Sequence, residues 1–154
     1  MTDRAVTERV GIERARIERV GIDELLERVR EDLDRMEPRE AAEAAADGAL
    51  LVDTRYAALR ERDGLIPGAL VVERNELEWR LDPQGSHRAR EATSHDLRVV
   101  VICNEGYASS LAAVSLRQLG LHRATDLVGG FQAWKAEGLP VVPAGDGAEA
   151  GDTA

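Results

Sequence analysis

Four short apolar runs recur along the chain without the apolar–polar alternation of a half-buried strand. They are Ala49-Leu50-Leu51-Val52-Asp53, Ala69-Leu70-Val71-Val72, Arg98-Val99-Val100-Val101-Ile102 and Thr125-Asp126-Leu127-Val128. A strand that is apolar on both sides must be covered on both sides, as in a parallel sheet packed between helices. The intervening segments carry helix signals. Residues 56–62 are a short helical candidate. Asn75 is placed to cap a helix running to Leu81, with Glu78 three positions on, and Pro83 closes it. Residues 108–119 form a helix that Gly120 ends, and a short one from Phe131 to Lys135 follows Gly129-Gly130. Ahead of the first run, Asp23 opens a helix through Asp34, with Leu25, Leu26, Val29 and Leu33 at helical spacing. Pro38 suits the first turn of a second helix, ended by Gly48. Strands alternating with helices in this way indicate an α/β domain with a mostly parallel sheet.

At 154 residues the chain is about one domain long and can bury a core without disulfide or metal staples. Its formal net charge is −9, unevenly spread. Residues 1–48 carry 9 basic against 14 acidic side chains, residues 49–142 carry 11 against 12, and residues 143–154 add 3 acids. No basic face is available for phosphate neutralisation, so a nucleic-acid partner is not expected. No apolar run is long enough to span a membrane. The single cysteine excludes an intrachain disulfide and a cysteine-based metal finger. His87, His95 and His122 show no ligand spacing, so neither a metal nor a cofactor is implied. The first 21 residues lack the apolar stretch of a signal peptide, and a cytoplasmic, reducing setting is expected. Residues 1–35 read as a helical or partly disordered extension, in which Glu8-Arg9-Val10-Gly11-Ile12-Glu13 nearly recurs as Glu18-Arg19-Val20-Gly21-Ile22-Asp23. Residues 36–142 read as the domain proper, 83–96 as a surface loop and 143–154 as a disordered acidic tail.

The strongest strand ends at Ile102, and Cys103 follows it. Next come Asn104-Glu105-Gly106-Tyr107-Ala108-Ser109, then a helix. In open α/β sheets ligands bind beyond the carboxyl ends of the strands. The first amides of a helix lack intrahelical acceptors, and the helix dipole adds about half a positive charge there. Both favour a thiolate at that position and an anion attached to its sulfur. A buried structural cysteine is the other reading of the same placement.

Leu51-Val52-Asp53-Thr54-Arg55, Gly64-Leu65-Ile66-Pro67-Gly68-Ala69, the Cys103–Ser109 loop, and Gly129-Gly130-Phe131-Gln132-Ala133-Trp134 followed by Gly138-Leu139-Pro140-Val141 occur in order. Together they resemble the rhodanese homology domain, a sulfurtransferase family, over roughly residues 36–142. The resemblance implies a rhodanese-like five-stranded, mostly parallel sheet with helices on both faces, the fifth strand falling near Leu33–Met36. It implies that Cys103 is the nucleophile, becomes a persulfide by taking sulfane sulfur from a donor, and passes it to a thiol or other nucleophilic acceptor. The loop residues Asn104, Glu105, Gly106, Tyr107, Ala108 and Ser109 would form the anion-holding cup. Asp53 and Arg55 would brace it, and Arg74 would supply a cation.

Two features of the loop bear on the substrate. Relatives acting on phosphorus carry Cys-x5-Arg, with the arginine clamping phosphate, whereas six positions after Cys103 stands Ser109. Many thiosulfate-using members carry Arg or Lys in the loop, where this chain has Asn104, Glu105, Tyr107 and Ala108. At an effective dielectric of about 20, two like charges ~6 Å apart repel by about 2–3 kcal/mol. Glu105 therefore favours mercaptopyruvate, a small persulfide or a protein persulfide over dianionic thiosulfate. Leu65 stands where the family often has histidine. Trp134 is expected to pack on the sheet and Trp79 in the core or at its rim. Tyr107 is expected to line the pocket mouth or to be a partly exposed aromatic. Two alternatives stay open: a sulfur-binding or redox-sensing module with little turnover, and a catalytically silent interaction domain. The oligomeric state is not legible.

Overall fold

The computed structural model describes residues 17–145. In chain order the elements are α1 (Ile22–Arg30), α2 (Pro38–Ala46), β1 (Leu50–Asp53), α3 (Ala57–Asp63), β2 (Leu70–Val71), a 3-10 turn (Arg74–Glu76), α4 (Leu77–Leu81), β3 (Val99–Ile102), α5 (Ala108–Gln118), β4 (Ala124–Asp126) and α6 (Gly130–Ala136). The sheet is parallel throughout, in the order β2-β1-β3-β4. The chain steps from β1 to β2 on one side, then returns to β3 on the other. The topological switch point therefore lies between β1 and β3, whose last residues, Asp53 and Ile102, are in register.

The lack of alternation in the strands has the expected cause. Val52, Val99 and Val101 point to one face and join Leu77, Leu81, Ala112, Ala113 and Leu116 from α4 and α5. Leu51, Val100 and Ile102 point to the other and join Ala41, Phe131 and Trp134 from α2 and α6. All four residues of β3 are buried, as its central position requires. Helices thus cover both faces. Among the described residues no helix is long and apolar enough to cross a membrane.

Among the described residues four strands form, not five. Near the place expected for the fifth, Met36 makes a single parallel bridge to Leu127, its N–H donating to the Asp126 carbonyl at 3.0 Å. Pro38 follows two residues later and starts α2, so the edge is cut short before a ladder can grow. The N-cap of α2 is Glu37, which forms a reciprocal capping box with Glu40. Asn75 does not cap α4. It lies within the 3-10 turn, and Glu78 turns back to Arg74.

Trp79 corrects another expectation, being 63 % exposed. Leu77 and Leu81, four apart, take the buried stripe of the short helix α4, which leaves the residue midway between them facing outward. The segment 83–96 is irregular, yet it buries Ala89 and Ala92. The segment ahead of residue 36 is packed, not separate, over part of its length. Leu26 of α1 and Leu33 are buried, and Leu33 belongs to the core cluster on the α5 face. The first copy of the near-repeat and most of the acidic tail lie outside the described residues.

Candidate active site

Cys103 follows β3 directly, and the chain then curls through Asn104–Tyr107 into α5. Its Sγ accepts hydrogen bonds from the backbone N–H of Gly106 at 3.1 Å and of Ser109 at 3.4 Å. No side chain caps α5. The sulfur itself occupies the acceptor position that a capping oxygen fills elsewhere. The N–H groups of Tyr107 and Ala108 find no acceptor among the described residues. Cys103 keeps 8 % of its surface exposed: it is sheltered by its neighbours but not sealed.

The loop keeps its shape because two glycines allow close contact. Gly106 has φ +87°, and a Cβ there would lie 2.7 Å from the Gly129 nitrogen. Gly130, at φ +62°, sits directly beneath the loop, where a Cβ would lie 2.5 Å from the Cys103 carbonyl oxygen. This approach lets the start of α6 hold the loop backbone. Phe131 N–H donates to the Cys103 carbonyl at 2.9 Å and Gln132 N–H to the Asn104 carbonyl at 3.1 Å. The Gln132 side-chain amide nitrogen bridges Asn104 Oδ1 and Asp63 Oδ2, at 3.0 Å each. The Arg62 guanidinium, hydrogen-bonded to Asp63, holds that carboxyl well below the usual carboxylate range, with help from Gln132 and Lys135 and against the effect of burial.

Asp53 and Arg55 lie fully inside, at the carboxyl end of β1. Asp53 Oδ2 accepts Arg55 Nη2 at 2.8 Å, and the same nitrogen donates to the Gly64 carbonyl at 2.7 Å. The guanidinium lies 3.6 Å from the centroid of the Phe131 ring. The pair therefore reaches the loop indirectly, through the Gly64 turn and α6. Arg74 is brought to neither: its guanidinium pairs with Glu78 at 3.0 Å. Asn104 is half-buried, while Glu105 and Ala108 are exposed and Tyr107 is 59 % exposed. Ser109 is buried and points away from the cup, its hydroxyl donating to Asp126 Oδ2 at 2.8 Å.

Asp126 ends β4, and the sequence marks it only as part of a strand. Fully buried, it accepts the hydroxyls of Ser109 and Ser110 at 2.8 Å each, and Arg35 Nε at 2.9 Å. Arg35 Nη2 and Arg30 Nη2 both donate to the Gly106 carbonyl, at 3.0 and 2.8 Å. Arg30 Nε also donates to Ser110 Oγ at 2.9 Å. An acid inside an apolar run was the one legible signal of this network.

A family model for the rhodanese-like domain matches residues 37–137. A sulfurtransferase of Allochromatium vinosum is 33 % identical over 99 residues, covering 64 % of this chain and 83 % of that protein. The Arabidopsis thaliana adenylyltransferase and sulfurtransferase MOCS3 is 35 % identical over 69 residues, covering 45 % of this chain but 15 % of that protein. Among solved structures, a protein of unknown function, possible tyrosine phosphatase, from Rhodopseudomonas palustris superposes with a TM-score of 0.73. It is 29 % identical and covers 82 % of this chain and 98 % of its own. The thiosulfate sulfurtransferase of Pseudomonas aeruginosa superposes with a TM-score of 0.59 at 27 % identity, over 72 % of this chain and 19 % of that one.

Proposed function

The chain belongs to the rhodanese-like domain family, and on that premise we propose that it is a sulfurtransferase working through a Cys103 persulfide. The observation that carries the reading is the pair of backbone amides, Gly106 and Ser109, that donate to Sγ. The Cys103 thiolate attacks the transferable sulfur of the donor, a sulfane sulfur in a persulfide or thiosulfate and the thiol sulfur in mercaptopyruvate. A Cys–S–S bond forms, and the donor's bond to that sulfur breaks, its remainder leaving with the electron pair. The outer sulfur carries the negative charge, and the loop amides receive it without reorganisation. A thiol acceptor, as its thiolate, then attacks the outer sulfur and returns Cys103 as thiolate, so the two displacements balance with no external oxidant.

The loop supports donors of low charge. Its residues Asn104–Ala108 contain no cation, Glu105 is exposed, and Arg74 is paired with Glu78. Mercaptopyruvate or a small or protein-borne persulfide meets less repulsion there than dianionic thiosulfate. Phosphoryl chemistry lacks its clamp, because the residue six places after Cys103 is a serine whose hydroxyl is committed to Asp126.

The test is intact mass after incubation of the full chain with mercaptopyruvate, a low-molecular-weight persulfide or thiosulfate. One added sulfur is expected, discharged within seconds to minutes by cyanide or a thiol and absent in Cys103→Ser. A stable adduct that no nucleophile discharges would replace catalysis by sulfur storage or sensing. No adduct from any donor would leave a silent interaction domain.

A further inference from the structure

We propose that Arg30 and Arg35 are positioning residues for the sulfur-holding loop, fixing the Gly106–Tyr107 peptide that lies between the two amides, Gly106 N–H and Ser109 N–H, that donate to the sulfur. The sulfur-transfer part of this inference rests on the function proposed above. Both guanidiniums converge on a single oxygen, the Gly106 carbonyl, at 2.8 and 3.0 Å. A peptide unit is planar and trans, and the described chain has no cis bond. With its oxygen held on the arginine side, the Tyr107 N–H must therefore point the opposite way. That N–H has no acceptor among the described residues.

The constraint matters because the peptide follows a glycine. A glycine at φ +87° has several accessible conformations where other residues have one. A flipped Gly106–Tyr107 unit would free its carbonyl from both arginines and displace the flanking Gly106 and Ser109 amides from the sulfur they hold. The arginines are themselves fixed. Arg35 is tied twice to buried Asp126, and Arg30 Nε is tied to Ser110 Oγ in the first turn of α5. Two guanidiniums, one of them paired with Asp126, thus hold a loop that has no cation of its own. Both come from the segment ahead of residue 37, where the family match begins. That segment therefore completes the site and does not merely precede it.

The full chain tests this with Arg30→Met and Arg30→Lys, because Arg30, unlike Arg35, makes no direct bond to Asp126. The first readout is the rate at which iodoacetamide alkylates Cys103 at fixed pH, which needs no sulfur transfer. The second is kcat against KM for the donor that loads the wild type. Arg30→Met is expected to slow both alkylation and kcat by about tenfold, a fraction of what losing a whole anion-hole donor costs, with KM held within about twofold. Arg30→Lys, which restores a charged donor, is expected to recover most of the loss. Should Arg30→Met fail to fold, Arg30→Gln reads the same ratios. A folded Arg30→Met that is alkylated at the wild-type rate overturns the proposal. So does an equal loss in Met and Lys variants, accompanied by a raised KM and a lower melting temperature, which would make the arginine a prop. A wild type that takes up no sulfur defeats the sulfurtransferase reading alone, and the alkylation ratio still decides this one.

Discussion

At the scale of single residues, the site depends on two backbones coming closer than a side chain allows. Gly130 supports the loop from below, and the methyl of an alanine there would press on the Cys103 carbonyl at 2.5 Å. Gly138 also has positive φ, +75°, but a Cβ there meets nothing within 4 Å. The two substitutions separate conformational strain from steric displacement. Gly138→Ala is expected to cost about 1–2 kcal/mol for the left-handed backbone and to leave sulfur uptake intact. Gly130→Ala adds the clash to the same strain, so a loss of about 3 kcal/mol or more is expected from these combined mechanisms. It should also slow Cys103 loading sharply, because Phe131 and Gln132 can no longer hold the loop carbonyls. Denaturant melts and intact mass on the two variants check this. Equal stability and equal loading would contradict the assignment of Gly130 as the loop's support.

At the scale of elements, α3 is tied to the loop by a polar chain running Arg62, Asp63, Gln132, Asn104. The Asp63 carboxyl is held well below its ordinary value, chiefly by the Arg62 hydrogen bond. A depressed carboxylate contributes stability that is complete above its unfolded-state pKa, about 3.9, and is lost as pH falls toward the folded value. The wild type should therefore lose melting temperature more steeply below about pH 4 than Asp63→Asn. Parallel acid melts would show otherwise if the carboxylate's pairing is immaterial. The strands were legible because burial on both faces leaves a local mark, an apolar run. The cysteine's place was legible because a strand, a short loop and a helix follow one another directly. The fifth strand expected near Leu33–Met36 comes down to one bridge, Met36 against Leu127, which is too short to leave a pattern in the sequence. Arg30 and Arg35 were not legible either. They act on Gly106 across 76 and 71 residues of sequence, and an arginine among acids reads locally as a solvated face. Trp79 misled for the opposite reason: its apolar character suggested burial, and the geometry of a five-residue helix denied it.

At the scale of the whole molecule, two fields act on an approaching donor, and they have opposite signs. The chain's formal net charge is −9, which slows the encounter with any anion. Arg30, touching the loop's Gly106 carbonyl while Arg35 beside it is paired with Asp126, sets up a local positive field near the loop. Their reach differs under salt. The screening length falls from about 30 Å at 0.01 M to about 8 Å at 0.15 M, so added salt removes the long-range repulsion first and leaves contacts of a few ångströms nearly intact. The loading rate with dianionic thiosulfate should therefore rise over that range, by about threefold if the net charge governs the encounter. An uncharged organic polysulfide should load at a rate that does not change. Stopped-flow or quenched mass measurements at several ionic strengths distinguish the cases. A thiosulfate rate that falls with salt would mean that the arginine pair steers anions from a distance, and the preference for weakly charged donors would then have to be abandoned. A flat response for both donors would place the barrier inside the loop, where Glu105 and the amide cup, not the molecular charge, choose the substrate.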